Sequence, residues 1–307
     1  MVYTQLTPRH TPGAHVEEVS RESAHYRLFI PSGMSDSYRL AQLDDYSKLP
    51  RKKFPHRSLT LSLFARASSA FIAGTWGFGL WNDPFGLSLG FGGNPFRLPA
   101  LPNAAWFFGA SEESYLSFAS GLDTGETTAR PTLRQAQDNA RPPVANGFIA
   151  QTFRSPRFHP SLILAGLALP FSRKTARRLL SQVIAEDGIV LRASSALESA
   201  DYAREKDYAS LRSRRSLTPD KKAVSVDPTQ WHRYRLTWSP KRVVWEVDDV
   251  RVFESAVSPN PPLGLVIWID NQYAAFTPEG KIAMGVLENE AAWLEIKDLE
   301  INTLDDL

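Results

Sequence analysis

The chain contains no cysteine. Disulfide staples, zinc ribbons, iron–sulfur clusters and thiol nucleophiles are thereby excluded together. An excess of one charge is missing as well: 35 Lys and Arg stand against 33 Asp and Glu, a net charge of +2 over 307 residues. Proteins that bind nucleic acid gather a strong basic surplus, so nucleic acid is not an expected partner. Long hydrophobic runs are also lacking. The longest, Leu162–Leu169, falls far short of the ~20 residues a membrane-spanning helix needs. The opening MVYTQLTPRHTPGAHVEEVS holds no apolar stretch of the secretory-signal kind. A soluble, cytoplasmic protein is the expectation. No repeat of solenoid or propeller period is seen.

Large apolar side chains are plentiful. Hydrophobic residues make up 43% of the chain, with 8 Trp, 9 Tyr and 17 Phe, while 22 Pro and 18 Gly divide it into short segments. Those segments carry strand signals. Leu59, Leu61 and Leu63 alternate with Thr60, Ser62 and Phe64, the period-2 pattern of a strand with two unlike faces. Tyr234, Leu236 and Trp238 share one face of WHRYRLTW. VVWEV, an Asp248-Asp249 turn and Arg251–Phe253 then complete hairpin spacing. LGLVIWI (Leu263–Ile269) is apolar at every position, as in a strand buried on both sides. Many short strands between Pro, Gly, Asn and Asp loops predict an all-β, two-sheet antiparallel jelly-roll sandwich.

Three regions depart from that pattern. Residues 1–24 are polar and read as an N-terminal arm or first edge strand before a single domain, 25–307. Gly121–Asn146 has few large apolar residues and reads as a flexible surface loop. Residues of about 160–227 read as a helical insert. Within it, Ala176, Leu179, Leu180, Val183 and Ile184 form one stripe of a helix over Ser172–Asp187, stopped by Gly188, and Ser194–Arg215 is a second helix.

Familiar site motifs are few. Gly74, Gly77 and Gly79 have the wrong order for a dinucleotide loop, and no helix follows them. The six histidines are dispersed without metal-ligand spacing. No Gly-x-Ser-x-Gly elbow is present. No metal and no cofactor are expected.

The segments GTWGFGLWNDPFG (Gly74–Gly86), WHRYRLTWSPKRVVWEVDDVRVFE (Trp231–Glu254), PLGLVIWIDNQ (Pro262–Gln272) and WLEIKDLEI (Trp293–Ile301) together resemble the concanavalin A-like lectin/glucanase superfamily. The pattern is most similar to family 16 glycoside hydrolases. Their Trp-His-x-Tyr-x-x-x-Trp…Val-Asp-Gly hairpin is matched by Trp231, His232, Tyr234, Trp238, Val247 and Asp248, with Asp249 in place of Gly. The resemblance implies a concave sheet that holds a glycan, and a strand bearing Glu-x-Asp-x-Glu. Retaining hydrolysis needs two carboxyl groups ~5–5.5 Å apart, which alternate residues of one strand supply. The strand in that place reads Ala104-Ala105-Trp106-Phe107-Phe108-Gly109-Ala110 and carries no carboxylate. Glu112-Glu113 read as a turn, Glu246–Asp248 as hairpin-turn chemistry, and Glu295–Glu300 as the solvent-facing side of the last strand.

No catalytic residue is therefore assigned. The resemblance places a sugar-stacking and hydrogen-bonding site at Trp76, Trp81, Asn82, Trp106, Trp268, Asp270, Asn271 and Gln272. Three readings follow. The first is a non-catalytic carbohydrate- or small-ligand-binding protein. The second is a family 16 type hydrolase with displaced acids. The third is a protein that meets a partner or a membrane surface through residues 160–190, where Arg173, Lys174, Arg177 and Arg178 follow an apolar stretch.

Overall fold

A computed structural model describes residues 6–84, 100–118, 147–156, 172–191, 225–277, 279 and 281–304. In chain order the elements are β1 (Thr7–His10), β2 (His15–Ser20), β3 (His25–Ile30), β4 (Leu40–Asp44), β5 (Leu59–Ala67), β6 (Thr75–Trp81), β7 (Ala104–Ala110), β8 (Gly147–Arg154), α1 (Arg173–Ser181), β9 (Ala185–Val190), β10 (His232–Ser239), β11 (Arg242–Val247), β12 (Val250–Ser255), β13 (Gly264–Asp270), β14 (Gln272–Phe276), β15 (Ile282–Val286) and β16 (Ala292–Thr303).

Two seven-stranded sheets form the body. The first runs β1-β4-β13-β6-β7-β8-β9 and the second β12-β11-β10-β5-β16-β3-β2, with β14-β15 as a separate ribbon. Every pairing within the sheets is antiparallel. The all-β sandwich expected from the alternation is the architecture found.

Side-chain parity explains how the sheets meet. On β10, Tyr234, Leu236 and Trp238 are buried while Arg233, Arg235 and Thr237 lie on the other face. On β5, Leu59, Leu61 and Leu63 point the same way as those core residues. From the first sheet Phe78 and Phe107 meet Tyr234, with ring centroids 5.1 and 5.0 Å away. Each such aromatic buries a large apolar area, and edge-on pairing adds ~0.5–1.5 kcal/mol. The β11–β12 turn is Asp248-Asp249, both with positive φ (49° and 61°). Val247 and Val250 are cross-strand partners, so this is a two-residue hairpin turn, and Asp tolerates the left-handed region better than most residues.

Of the two readings of residues 1–24, the edge strand is the one found for Thr7–His10 and His15–Ser20: β1 pairs with β4 and β2 with β3, one edge strand for each sheet. One expectation changes. The helix over Ser172–Asp187 is shorter. Ser172 caps it by accepting from the backbone N–H of Thr175 (3.2 Å), and α1 ends at Ser181. Ala185–Val190 instead become β9, which pairs with the edge of β8. The backbone groups of β8 outweigh a modest local helix preference. Ser194–Arg215 and Gly121–Asn146 lie outside the described residues.

Candidate functional site

The outer face of the first sheet is where the resemblance places a ligand, and parity decides which side chains reach it. Trp81, Trp106 and Trp268 face outward on β6, β7 and β13. Trp76 points the other way, into the space between the sheets. It is stacked on Phe148 (4.9 Å, 13°), and its indole lies where a Cβ on Gly109 would be. The expected aromatic set therefore divides three to one.

Glycine creates the room for two of the three indoles. Gly77 is the cross-strand partner of Trp268, and Gly79 of Trp106. A Cβ on Gly77 would come within 3.1 Å of the Trp268 ring, and one on Gly79 within 2.6 Å of the Trp106 Cβ. Over these gaps the indoles form a triangle. Centroid separations are 6.3 Å for Trp81–Trp268, 6.0 Å for Trp106–Trp268 and 6.2 Å for Trp81–Trp106, and the first pair is parallel within 2°.

The triangle belongs to a second hydrophobic cluster, separate from the inter-sheet core. Tyr46, Phe54, Leu101, Phe153 and Ile184 are members, with Leu180 and Val183 packed against it. Aromatic contacts run outward in both directions. Trp81 meets Tyr46 (6.0 Å) and Tyr46 meets Phe54 (4.9 Å). Trp106 meets Phe153 (5.9 Å), which meets Phe118 (6.3 Å), which meets Phe276 (6.4 Å). Trp106 and Trp268 are left only 3% and 7% exposed, whereas Trp81 is half-buried. Trp81 is thus the most open ring of the three.

Polar side chains are set among these rings. The indole N–H of Trp268 donates to Thr75 Oγ1 (2.9 Å), which donates in turn to Asp270 Oδ1 (2.7 Å). Asp270 also accepts from the backbone N–H groups of Thr75 and Gln272 (both 3.2 Å), and from the Tyr38 hydroxyl at Oδ2 (3.1 Å). Burial pushes the Asp270 carboxyl up to about 6, with those hydrogen bonds pulling against it. Burial, then the neighbouring Asp270 charge, raises the Tyr38 hydroxyl well above its usual range. On the far side, the Trp106 N–H donates to Gln151 (3.4 Å) and Gln151 to Glu186 (3.0 Å). On β4, Gln42 donates to Asp44 (2.8 Å).

The other expected residues hold loops in place. Asn82 donates to Leu101 O (2.9 Å) and accepts from Asn103 N–H (3.0 Å), tying the end of β6 to the start of β7. Asn271 is fully buried. It accepts from Arg39 N–H (2.8 Å) and donates to Ser37 O (3.0 Å) and Leu287 O (2.9 Å). Gln272 begins the β14 ribbon and is half-buried. Thr75, Tyr38, Gln42, Gln151 and Glu186 were not singled out from sequence. The signal for Gln151 was there: a polar residue inside the apolar strand FIAQTF, on the parity of Ile149 and Phe153.

Among the described residues three strand carboxylates are on this face, and Asp83 follows the end of β6 within electrostatic reach of Tyr46. Asp44 is the register partner of Val266, four residues along β13 from Asp270, or ~13 Å of strand. Both Asp44 oxygens are engaged, one by Gln42 and the other by the Tyr46 and Ser47 N–H groups. Glu186 sits on β9, five strand positions from β4, a further ~24 Å across the sheet. A glycosidase pair is separated by at most ~9.5 Å. The outward residues of β7 are Ala104, Trp106, Phe108 and Ala110. Among the described residues no group of three or more His, Asp or Glu could hold a metal ion.

The basic helix also turns out differently from its sequence pattern. Arg177 is buried rather than solvent-facing. It donates to Phe276 O and Ser117 O (both 2.7 Å) and lies over the Tyr115 and Phe276 rings. Arg173, Lys174 and Arg178 remain exposed. No described helix is long and apolar enough to cross a membrane.

The paired seven-stranded antiparallel sheets make this an all-β sandwich. No family model and no curated protein matches the sequence. Solved structures similar to it include LamAcat from Zobellia galactanivorans, at 14% identity over 95% of this chain and 80% of that one, with a TM-score of 0.40. A glycoside hydrolase family 16 endo-glucanase from Bacteroides ovatus, solved with G4G3G-2F-DNP, is similar at 9% identity over 98% and 96%, TM-score 0.41. A legume lectin-like domain from Entamoeba histolytica is similar at 9% identity over 98% and 90%, TM-score 0.39. These likenesses concern the fold alone.

Proposed function

We propose that the protein is a non-catalytic binder of carbohydrate or another small ring-shaped ligand, working from the outer face of the first sheet. One observation carries this reading: three indoles gathered on the face away from the inter-sheet core, with Thr75–Asp270 and Gln151–Glu186 hydrogen-bonded among them. An apolar layer serving only to pack would not need those groups, since each buried polar atom must be matched by a partner. Rings present a stacking surface, and carboxylate and amide groups orient hydroxyls. Trp81 is the stacking ring, with Trp106 and Trp268 holding it in place.

Tryptophan-fluorescence titration with β-glucan oligosaccharides tests the reading. Saturable quenching is expected for the native chain, and its loss in Trp81→Ala with the thermal transition retained. The absence of a saturable signal across neutral glycans would sink the proposal. Release of reducing ends from β-glucan by the native chain would replace it with hydrolysis.

A further inference from the structure

Two of the three indoles are held by relays of the same kind, and the relays end differently. Trp106 donates to Gln151 and Gln151 to Glu186, whose carboxylate acts electrostatically on the Arg177 guanidinium. Trp268 donates to Thr75 and Thr75 to Asp270. At Asp270 every hydrogen-bond donor is neutral: the N–H groups of Thr75 and Gln272 and the hydroxyls of Thr75 and Tyr38. The charged and titratable neighbours are turned elsewhere. Arg39, beside Tyr38, gives its guanidinium to Met34 O, Ser37 O and Asn289, with Asp36 3.9 Å from it. Arg9 on β1 and Tyr46 beyond β4 act on Tyr38. Tyr273 of β14 packs against Gly285, and Glu112 and Glu113 after β7 are exposed.

This arrangement leaves one oxygen of Asp270 to take a proton. Oδ1 accepts from three donors; two are backbone N–H groups, and the third is the Thr75 hydroxyl, whose oxygen receives the Trp268 N–H. Oδ2 meets the Tyr38 hydroxyl at 3.1 Å. Protonation of Oδ2 reverses that bond: Asp270 donates, Tyr38 accepts, and the Tyr38 proton turns away. The charge facing Oδ1 is lost in the same event. Hydrogen bonds to a charged acceptor are stronger than those to a neutral one, so Thr75 and Trp268 are then held less firmly. Both ends of the relay reach the indole cluster. Trp268 lies parallel to Trp81, and Tyr38 packs against the same cluster.

We propose that Tyr38, Thr75 and Asp270 form a proton-operated switch for the indole face, in which the ionised carboxylate holds Trp268 and Tyr38 in the binding arrangement and protonation releases them. The inference rests on the reading of that face as the ligand site. Burial places the Asp270 carboxyl at about 6, so affinity rises with pH across roughly pH 5 to 7.

Tryptophan-fluorescence titrations with β-glucan oligosaccharides, repeated across that range, provide the test. The native chain should bind about fivefold or more tightly at the alkaline end than at the acidic end. In Asp270→Asn the amide oxygen accepts as Oδ1 does and the amide N–H donates to Tyr38, as the protonated acid would. This variant should bind at every pH with the weak affinity that the native chain shows in acid. Tyr38→Phe removes a donor that favours the charged form, so the midpoint should move to higher pH. Thermal melts check that both variants are folded. An equal loss of affinity at all pH values in both variants would overturn the switch, as would native pH dependence persisting in Asp270→Asn. Native binding that does not vary with pH overturns the switch and leaves the ligand site standing, whereas no binding at any pH removes both.

Discussion

The indole N–H of Trp245 reaches across the interior and donates to the backbone carbonyl of Trp106, 3.1 Å away. The bond joins β11 of one sheet to β7 of the other, so the spacing of the sheets is tied to the strand that carries the central indole of the outer cluster. Trp245→Phe keeps much of the ring and removes the donor. The native carbonyl then loses a buried partner and a small void opens, a loss of about 1–3 kcal/mol. Urea unfolding with an unchanged slope should register it; an unaltered midpoint would show that the bond contributes nothing.

Gly79 should tolerate no side chain. A Cβ there meets the Trp106 Cα and Cβ at 2.6 Å and the Ala105 carbonyl at 2.4 Å, and the residue's φ is +155°. Gly79→Ala is expected to lower stability by about 2 kcal/mol or more, through overpacking and backbone strain together. Thermal denaturation measures this, with Gly147→Ala as the comparison for backbone strain without overpacking: its φ is +86°, and the nearest described atom to its Cβ would be on Val190, at 3.9 Å.

Asp270 makes stability depend on acidity in an unusual direction. Its carboxyl is raised from 3.8 to about 6 in the folded protein, so the folded state holds this proton more tightly than the unfolded chain does. The contribution is greatest below pH ~4, falls as pH rises toward ~6, and is constant above. Two units correspond to about 3 kcal/mol. The difference in unfolding free energy between native and Asp270→Asn should therefore decline over that window. A difference that stays level from pH 4 to 7 would contradict the assignment. Trp268 emission should titrate in step, because Thr75 links it to the carboxyl.

Arg177 fastens α1 to the rim of the first sheet through two carbonyls. Arg177→Met retains the apolar stem but leaves Phe276 O and Ser117 O without their charged donor. Hydrogen exchange should accelerate by roughly tenfold or more over 173–184 and 115–118, while β5 and β10 keep their native protection. Acceleration spread evenly over both sheets would mean that the residue supports the whole fold rather than this attachment.

Legibility in the sequence followed the strength of the local pattern. Tyr234, Leu236 and Trp238 alternate cleanly, and two aspartates can occupy a left-handed turn, so the β10–β12 hairpin was readable to within a residue or two. The all-β class followed from many such segments. Ala185–Asp187, the start of β9, reads as helix because Ile184 continues a helical stripe, whereas the unpaired edge of β8 is visible only in three dimensions. The site was partly legible for the same reason. Trp81, Trp106 and Trp268 belong together, but Trp76 does not: five residues from Trp81 on one strand, it must face the opposite way, and only the packing shows which face is the outer one. Arg177 belonged by sequence to a solvent-facing basic row; its turn toward Phe276 depends on where the ribbon lies.

Strand β7 is buried at every residue from Ala104 to Gly109, with the inter-sheet core on one side and the indole cluster on the other. A strand with one wet face can accumulate neutral changes at every second position. Here both sets of alternate positions are constrained by volume, so drift has to proceed by compensated pairs, a shrinking residue on β7 matched by a growing one opposite. Introducing a carboxylate at 104, 106 or 108 would therefore require rebuilding the layer above it as well as changing one residue.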